Sequence, residues 1–293
     1  MKKQRVHTPL LLIGAIFFII FSPINNKVKA AEDTTPFSQE THQYIDDSTH
    51  KYPEIKPYID NTIEMFSQQV NINSEELDEL LRESVDEAIK TQNIVESELK
   101  YLEQQYEVKN SLETFNAQPA SMANSYLLAR AAYDKGIGIV RDYGHRQTAA
   151  YMEHGIVPMG LEGIDWKPDT YFSIEDSWAR RVATDDSLTG SFFGRFEQEI
   201  ASKGKSYGVI SDSHNFDYGE PATALNKVDY TATFTKRSDG TYKASIYVGD
   251  TFDFQWNING YDNYAVNFGN NYAALMEDLG LIKPYLISIY YTM

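Results

Sequence analysis

Between residues 228 and 248 the apolar positions fall two apart, a spacing that only an extended chain places on one side. Val228, Tyr230, Ala232 and Phe234 alternate with polar residues, and Tyr242, Ala244, Ile246 and Val248 do so again after Arg237-Ser238-Asp239-Gly240. A short run ending in Asp-Gly supplies the turn, so the segment predicts a β-hairpin with one apolar face. Residues 251–256 predict a third extended segment, 270–279 a helix closed by Gly280, and 285–291 a last strand. Residues 208–293 therefore predict a small α+β unit, a mainly antiparallel sheet with a helix covering one face.

Upstream of Gly208 the period is helical. Asn73 or Ser74 can cap a long helix whose first turn holds Glu75, Glu76 and Asp78, where the helix dipole favours negative charge. Leu81, Val85, Ala88, Gln92, Val95, Leu99, Leu102 and Tyr106 follow steps of four and three, the seam of a coiled coil or helical hairpin with Gln92 as its polar member. A shorter helix over 53–70, with Ile59, Ile63, Phe66 and Val70 on one face, is expected to pack against it. Residues 54–118 thus form an acidic helical region, read either as a partner-binding stalk or as a plain intramolecular helix pair. Residues 119–207 form a Gly-punctuated helical region. It holds a helix from Ser121 to Gly144, a second from Arg146 to His154 ended by Gly155, and amphipathic stretches over 174–182 and 192–200.

The amino-terminal residues carry a different signal. Lys2, Lys3 and Arg5 precede an apolar run from Leu10 to Phe21, 12 residues against the roughly 20 needed to span a bilayer. Ser22 and Pro23 break it, and Val28-Lys29-Ala30 presents compact residues where a signal peptidase reads. Residues 1–30 are expected to be a signal peptide cut after Ala30, with 31–53 a flexible leader lacking helical or alternating apolar period. An uncleaved anchor is the other reading; either way the remainder is expected outside the membrane, with no stable span after cleavage.

Residues 1–30 hold five Lys or Arg and no Asp or Glu, so the rest carries 21 basic against 42 acidic side chains, a net charge of −21. That balance argues against sequence-independent nucleic-acid binding, which rests on Lys and Arg neutralising phosphate. With no cysteine in the chain, disulfides, thiolate metal sites and thiol nucleophiles are excluded. Neither a P-loop, a Gly-x-Ser-x-Gly elbow nor a metalloprotease His pair is present, and no motif identifies a cofactor.

Three polar clusters remain as candidates. In Ser211-Asp212-Ser213-His214-Asn215-Phe216-Asp217, Asp212 and His214 share a side if the chain is extended, where they can hold a metal ion or orient an imidazole; the alternative is a turn-rich connection. Asp250 and Asp253, three apart after the hairpin, can hold Mg²⁺ or divide acid and base roles, or simply end a strand. His145 and Arg146 follow Gly144 at a helix junction, with His154 nearby. There backbone donors can meet an anion, or His145 can serve the preceding helix end.

Asp250-Thr251-Phe252-Asp253-Phe254 resembles the Asp-x-Tyr-Asp-Phe motif of the M-type colicins, toxins that cleave a lipid-linked peptidoglycan precursor. The likeness spans five residues, departs at Phe252, and is followed by no His-Arg pair. It implies roles for Asp250 and Asp253 in phosphodiester chemistry. From Ser121 onward, with this strand end and Gly280-Leu281-Ile282-Lys283-Pro284-Tyr285, the chain resembles uncharacterised secreted proteins of Gram-positive bacteria. The function expected is an extracellular interaction module for a protein or cell-envelope component. Alternatives are a secreted toxin-like effector and a self-protection protein that binds such a toxin.

Overall fold

A computed structural model describes residues 37–67, 73–113, 119–158, 166–254 and 264–293. The expected signal peptide and cleavage site, and the leader up to residue 36, lie outside the described residues. Helix α1 (Gln39–Lys51) starts at Ser38, whose hydroxyl accepts the Thr41 N–H at 3.2 Å. A 3₁₀ turn at Pro53–Ile55 leads into α2 (Lys56–Ser67), followed by α3 (Ser74–Glu113), where Asn73 Oδ1 accepts the Glu76 N–H at 2.9 Å. Next come α4 (Pro119–Asp142), α5 (Arg146–His154), β1 (Tyr171–Ile174), α6 (Ser177–Ala183) and α7 (Asp186–Phe196), which continues as a π turn at Glu197–Ala201. The remainder is β2 (Tyr207–Asn215), α8 (Gly219–Ala224), β3 (Lys227–Lys236), β4 (Tyr242–Phe252), α9 (Tyr264–Asp278) and β5 (Tyr285–Thr292).

The five strands form one sheet in the order β1-β5-β4-β3-β2, antiparallel except for the β1–β5 pair. The predicted hairpin is β3–β4, with Ala232 opposite Ile246 and Phe234 opposite Ala244. Val228, Tyr230, Ala232, Phe234, Ile246, Val248, Ile287 and Ile289 face one way and pack with Tyr133, Tyr151, Trp178, Phe192 and Met276 from the helices after residue 119. Burying each of these large side chains contributes about 1.5–3 kcal/mol.

The sequence predicts a helix over one face of the sheet, and in the structure the opposite face is covered as well. Thr231, Thr233, Thr235, Ser245, Tyr247, Thr251, Ser288 and Tyr290 are buried under α2 and α3, and α1 packs on α3. Of the expected helical seam, Leu81, Val85, Ala88, Gln92 and Val95 are buried and Leu99 is partly exposed, while the side chains of Leu102 and Tyr106 lie outside the described residues. At its polar end the seam bonds to the sheet: Tyr247 OH donates to Gln92 Oε1 at 2.5 Å and Thr251 Oγ1 to the Val95 carbonyl at 3.0 Å. Thr91 Oγ1 and Thr231 Oγ1 lie 2.9 Å apart, and Tyr58 bonds Thr233. A hydroxyl layer therefore replaces the water that an alternating strand usually shows on its polar side. Helix and sheet approach closely at Gly249, where an added Cβ would sit 3.1 Å from Val95 Cγ2.

Thr235 Oγ1 makes no hydrogen bond among the described residues although it is buried. Replacing it with the near-isosteric valine removes a stranded hydroxyl, so Thr235→Val is expected to raise unfolding free energy by about 1 kcal/mol in urea titrations. A loss of stability would mean that the hydroxyl is satisfied.

The structure corrects three boundaries. Residues 39–51, expected in a flexible leader, form α1; its buried face is Thr41, Ile45 and Ser48, which has helical spacing but only one apolar member. The 251–256 segment is not a separate strand, because β4 runs unbroken to Phe252, and residues 255 and 256 lie outside the described residues. The break at 208 does not separate units. Pro36–Met293 is one compact unit, and β1, from the region expected to be helical, supplies an edge of the sheet.

Candidate functional site

Asp212 and His214 lie on β2, not in a turn-rich connection, and two residues apart on an extended strand they do share a side. Each is engaged by a different part of α7. Asp212 Oδ2 is 3.4 Å from Arg195 Nη1, which also donates to the Ser211 carbonyl at 3.1 Å, while Arg195 Nε holds Glu199 at 3.0 Å. His214 Nε2 instead lies 3.0 Å from Ser187 Oγ in the first turn of α7.

Asp185 caps that helix. Its Oδ1 accepts the Ser187 N–H at 2.9 Å and the Ser187 hydroxyl at 2.5 Å. Burial lowers the pKa of His214 below the ordinary histidine value, with the Asp185 and Asp217 charges opposing that shift. The net direction favours the neutral ring near pH 7, and in the tautomer that carries its proton on Nδ1 the ring offers Nε2 as an acceptor. Asp185, Ser187 and His214 are each half-buried and reachable from solvent. Neither Ser187 nor Asp185 stood out in sequence. The available signal was Asp185-Asp186-Ser187 ahead of Leu188, which reads as a helix cap and carries no hint of the strand opposite.

The second cluster lies at the end of β4. Asp250 is 8% exposed, and its Oδ1 accepts the Thr251 N–H at 2.8 Å. Burial raises its pKa well above the usual carboxylate value; the Asp253 charge adds to the shift, the Thr251 bond opposes it, and Glu98 and Asp229 raise it further. A carboxyl held in its protonated form is a poor cation ligand. Among the described residues no three His, Asp or Glu side chains converge as a metal set. Phe252 faces Tyr151 and Tyr285 at ring-centroid distances of 5.5 and 5.3 Å, so this strand end also belongs to the aromatic core.

His145, Arg146 and His154 do not form one site. His145 and His154 bracket α5, about 13 Å apart at 1.5 Å per residue. His154 Nε2 pairs with the Asp169 carbonyl at 2.7 Å, and His145 Nδ1 lies 3.1 Å from Thr223 Oγ1. A carboxylate of the chain itself sits at this helix junction. Glu220 of α8 accepts the Gln147 N–H at 2.6 Å and Arg181 Nη1 at 2.7 Å, so Arg181 rather than Arg146 is the arginine involved.

Strand β1 carries two of the exposed large hydrophobic side chains. Among the described residues it pairs on one side only, with β5, and its alternating residues Phe172 and Ile174 are each 44% exposed. Asp169 and Glu175 flank it on the surface, and Glu54 reaches Thr170 Oγ1 at 3.4 Å. No helix among the described residues is long and apolar enough to cross a membrane. No family model matches the chain, and neither a curated protein nor a solved structure matches it.

Proposed function

We propose that the chain is exported and works outside the membrane as an interaction module, taking up an extended cationic segment of a partner protein along the free edge of β1. The observation that carries this reading is the exposure of Phe172 and Ile174 on an edge strand, beside the carboxylates of Glu54, Asp169 and Glu175. An edge strand has unpaired N–H and C=O groups on its outer side, and an added strand satisfies them. Alternate side chains of the incoming segment would cover Phe172 and Ile174, each contributing about 1.5–3 kcal/mol of burial if fully covered. The chain's excess of acidic over basic residues, 42 against 26, attracts a basic partner and speeds encounter. Export is supported by Lys2, Lys3 and Arg5 ahead of the apolar run and by Val28-Lys29-Ala30.

A fluorescent peptide alternating lysine and valine tests the reading by anisotropy. Binding is expected to weaken at high salt and to fall at least tenfold with the double substitution Phe172→Glu, Ile174→Glu. A peptide of equal charge interrupted by proline should not bind, because it cannot complete the ladder. Equal binding of both peptides, or no effect of the double substitution, would point to bulk charge and remove the β1 site.

A further inference from the structure

We propose that Ser187 and His214 form a nucleophile–base pair able to accept an acyl group from a carboxylic ester. The pair lies beside β2, at the edge of the sheet opposite β1, so its activity and the docking role of β1 can be tested apart.

The geometry supplies three parts. Ser187 Oγ is 3.0 Å from Nε2 of His214, within the range over which a base takes a hydroxyl proton. The same hydroxyl is 2.5 Å from Asp185 Oδ1, whose second bond, to the Ser187 N–H, fixes that carboxylate on the helix start. The serine hydroxyl has a single proton for these two neighbours: it is donated to Asp185 Oδ1 at rest, and it must turn to His214 Nε2 for the ring to act as the base. The third part is its position in the first turn of α7, an 11-residue helix, where the positive end of the helix favours negative charge developing on a nearby oxygen. Burial holds the His214 ring toward its neutral form, and the Phe216 ring stands edge-on to it at 4.9 Å.

In the reaction, Ser187 Oγ attacks the ester carbonyl carbon as its proton passes to His214 Nε2. The carbonyl electron pair moves to oxygen and returns as the bond to the alcohol oxygen breaks. That oxygen leaves with the proton from Nε2, and the acyl group remains on Ser187. Water then repeats the sequence, regenerating the hydroxyl and releasing the carboxylic acid. Asp185 keeps its bond to the Ser187 N–H throughout and serves as a positioning residue.

The test uses p-nitrophenyl acetate with the full chain. A burst of p-nitrophenolate stoichiometric with protein is expected, together with an acetyl adduct that maps to Ser187. Ser187→Ala should abolish both while leaving the fold intact by circular dichroism, since Asp185 remains to cap α7. His214→Gln should slow acylation at least 100-fold. The wild-type rate should rise with pH through a midpoint below the ordinary histidine value, and Ser187→Cys should carry the acetyl group on sulfur. Acetylation confined to lysines, or a Ser187 adduct formed equally fast in His214→Gln, would overturn the pair.

Discussion

Replacing Glu220 with alanine is expected to lower the unfolding free energy by about 3 kcal/mol, among the largest single-residue effects in this chain. Glu220 is 6% exposed, and each carboxylate oxygen has a charged or orphan donor. The Gln147 N–H belongs to the first turn of α5, a helix to which its own N-cap residue, His145, gives no side-chain cap. The second donor, Arg181, is 53% exposed, so its bond is partly screened and adds less than the capping bond. Losing the carboxylate frees the α5 start, which carries Thr148, Ala149, Tyr151 and Met152 into the core. Arg181→Met should cost only about 1 kcal/mol because water can replace it. Urea midpoints of the two variants check this ordering; equal losses would assign the effect to the ion pair and not to the helix cap.

The second large effect has the opposite sign and depends on pH. Asp250→Asn is expected to stabilise the chain by about 2 kcal/mol at pH 7.5 and to change it little at pH 4, since asparagine needs no proton to be neutral in a buried site. The sign follows from linkage. Burial, reinforced by Asp253, Glu98 and Asp229, raises the folded-state pKa of Asp250 above its unfolded value. Below the unfolded value, about 3.9, both states hold the proton and its contribution is fully present. As pH rises past that value the unfolded chain releases the proton while the folded chain retains it. Stability therefore falls with pH until the folded-state pKa is passed. Asparagine removes that slope and keeps an oxygen for the Thr251 N–H. Melting curves at the two pH values measure it, with a gain of roughly 4–8 °C expected at pH 7.5. A variant that loses stability at pH 7.5 would mean that the ionised carboxylate has a partner that favours it.

The β3–β4 hairpin was legible because its two signals, period two and an Asp-Gly turn, are local and agree. Helix α5 was legible for the same reason, with Gly144 and Gly155 at its ends. The second cover of the sheet was not. Threonines alternating with apolar residues carry no local sign of a covering helix, and only the fold shows that Thr231 meets Thr91, and Tyr247 meets Gln92. The polar member at position 92 was visible as an exception in the seam, but its partner lies 155 residues away. Helix α1 escaped notice because its buried stripe is mostly hydroxyl-bearing. Among candidate residues, His214 was recognised by type and Ser187 was not, since the pairing depends on β2 lying across the start of α7. Asp250 was recognised as a carboxylate, but its burial is a property of the aromatic core around Tyr151 and Tyr285, contributed by distant segments. Glu220 gave no signal at all, being one carboxylate among 42 acidic residues.

Amide hydrogen exchange, measured with and without a saturating concentration of the alternating lysine–valine peptide, tests the docking role of β1 most directly. New protection confined to residues 171–174, and absent from the Phe172→Glu, Ile174→Glu chain, is the predicted result. Protection spread along the acidic face of α3 with β1 unchanged would contradict it, because the peptide would then be held by charge without adding a strand.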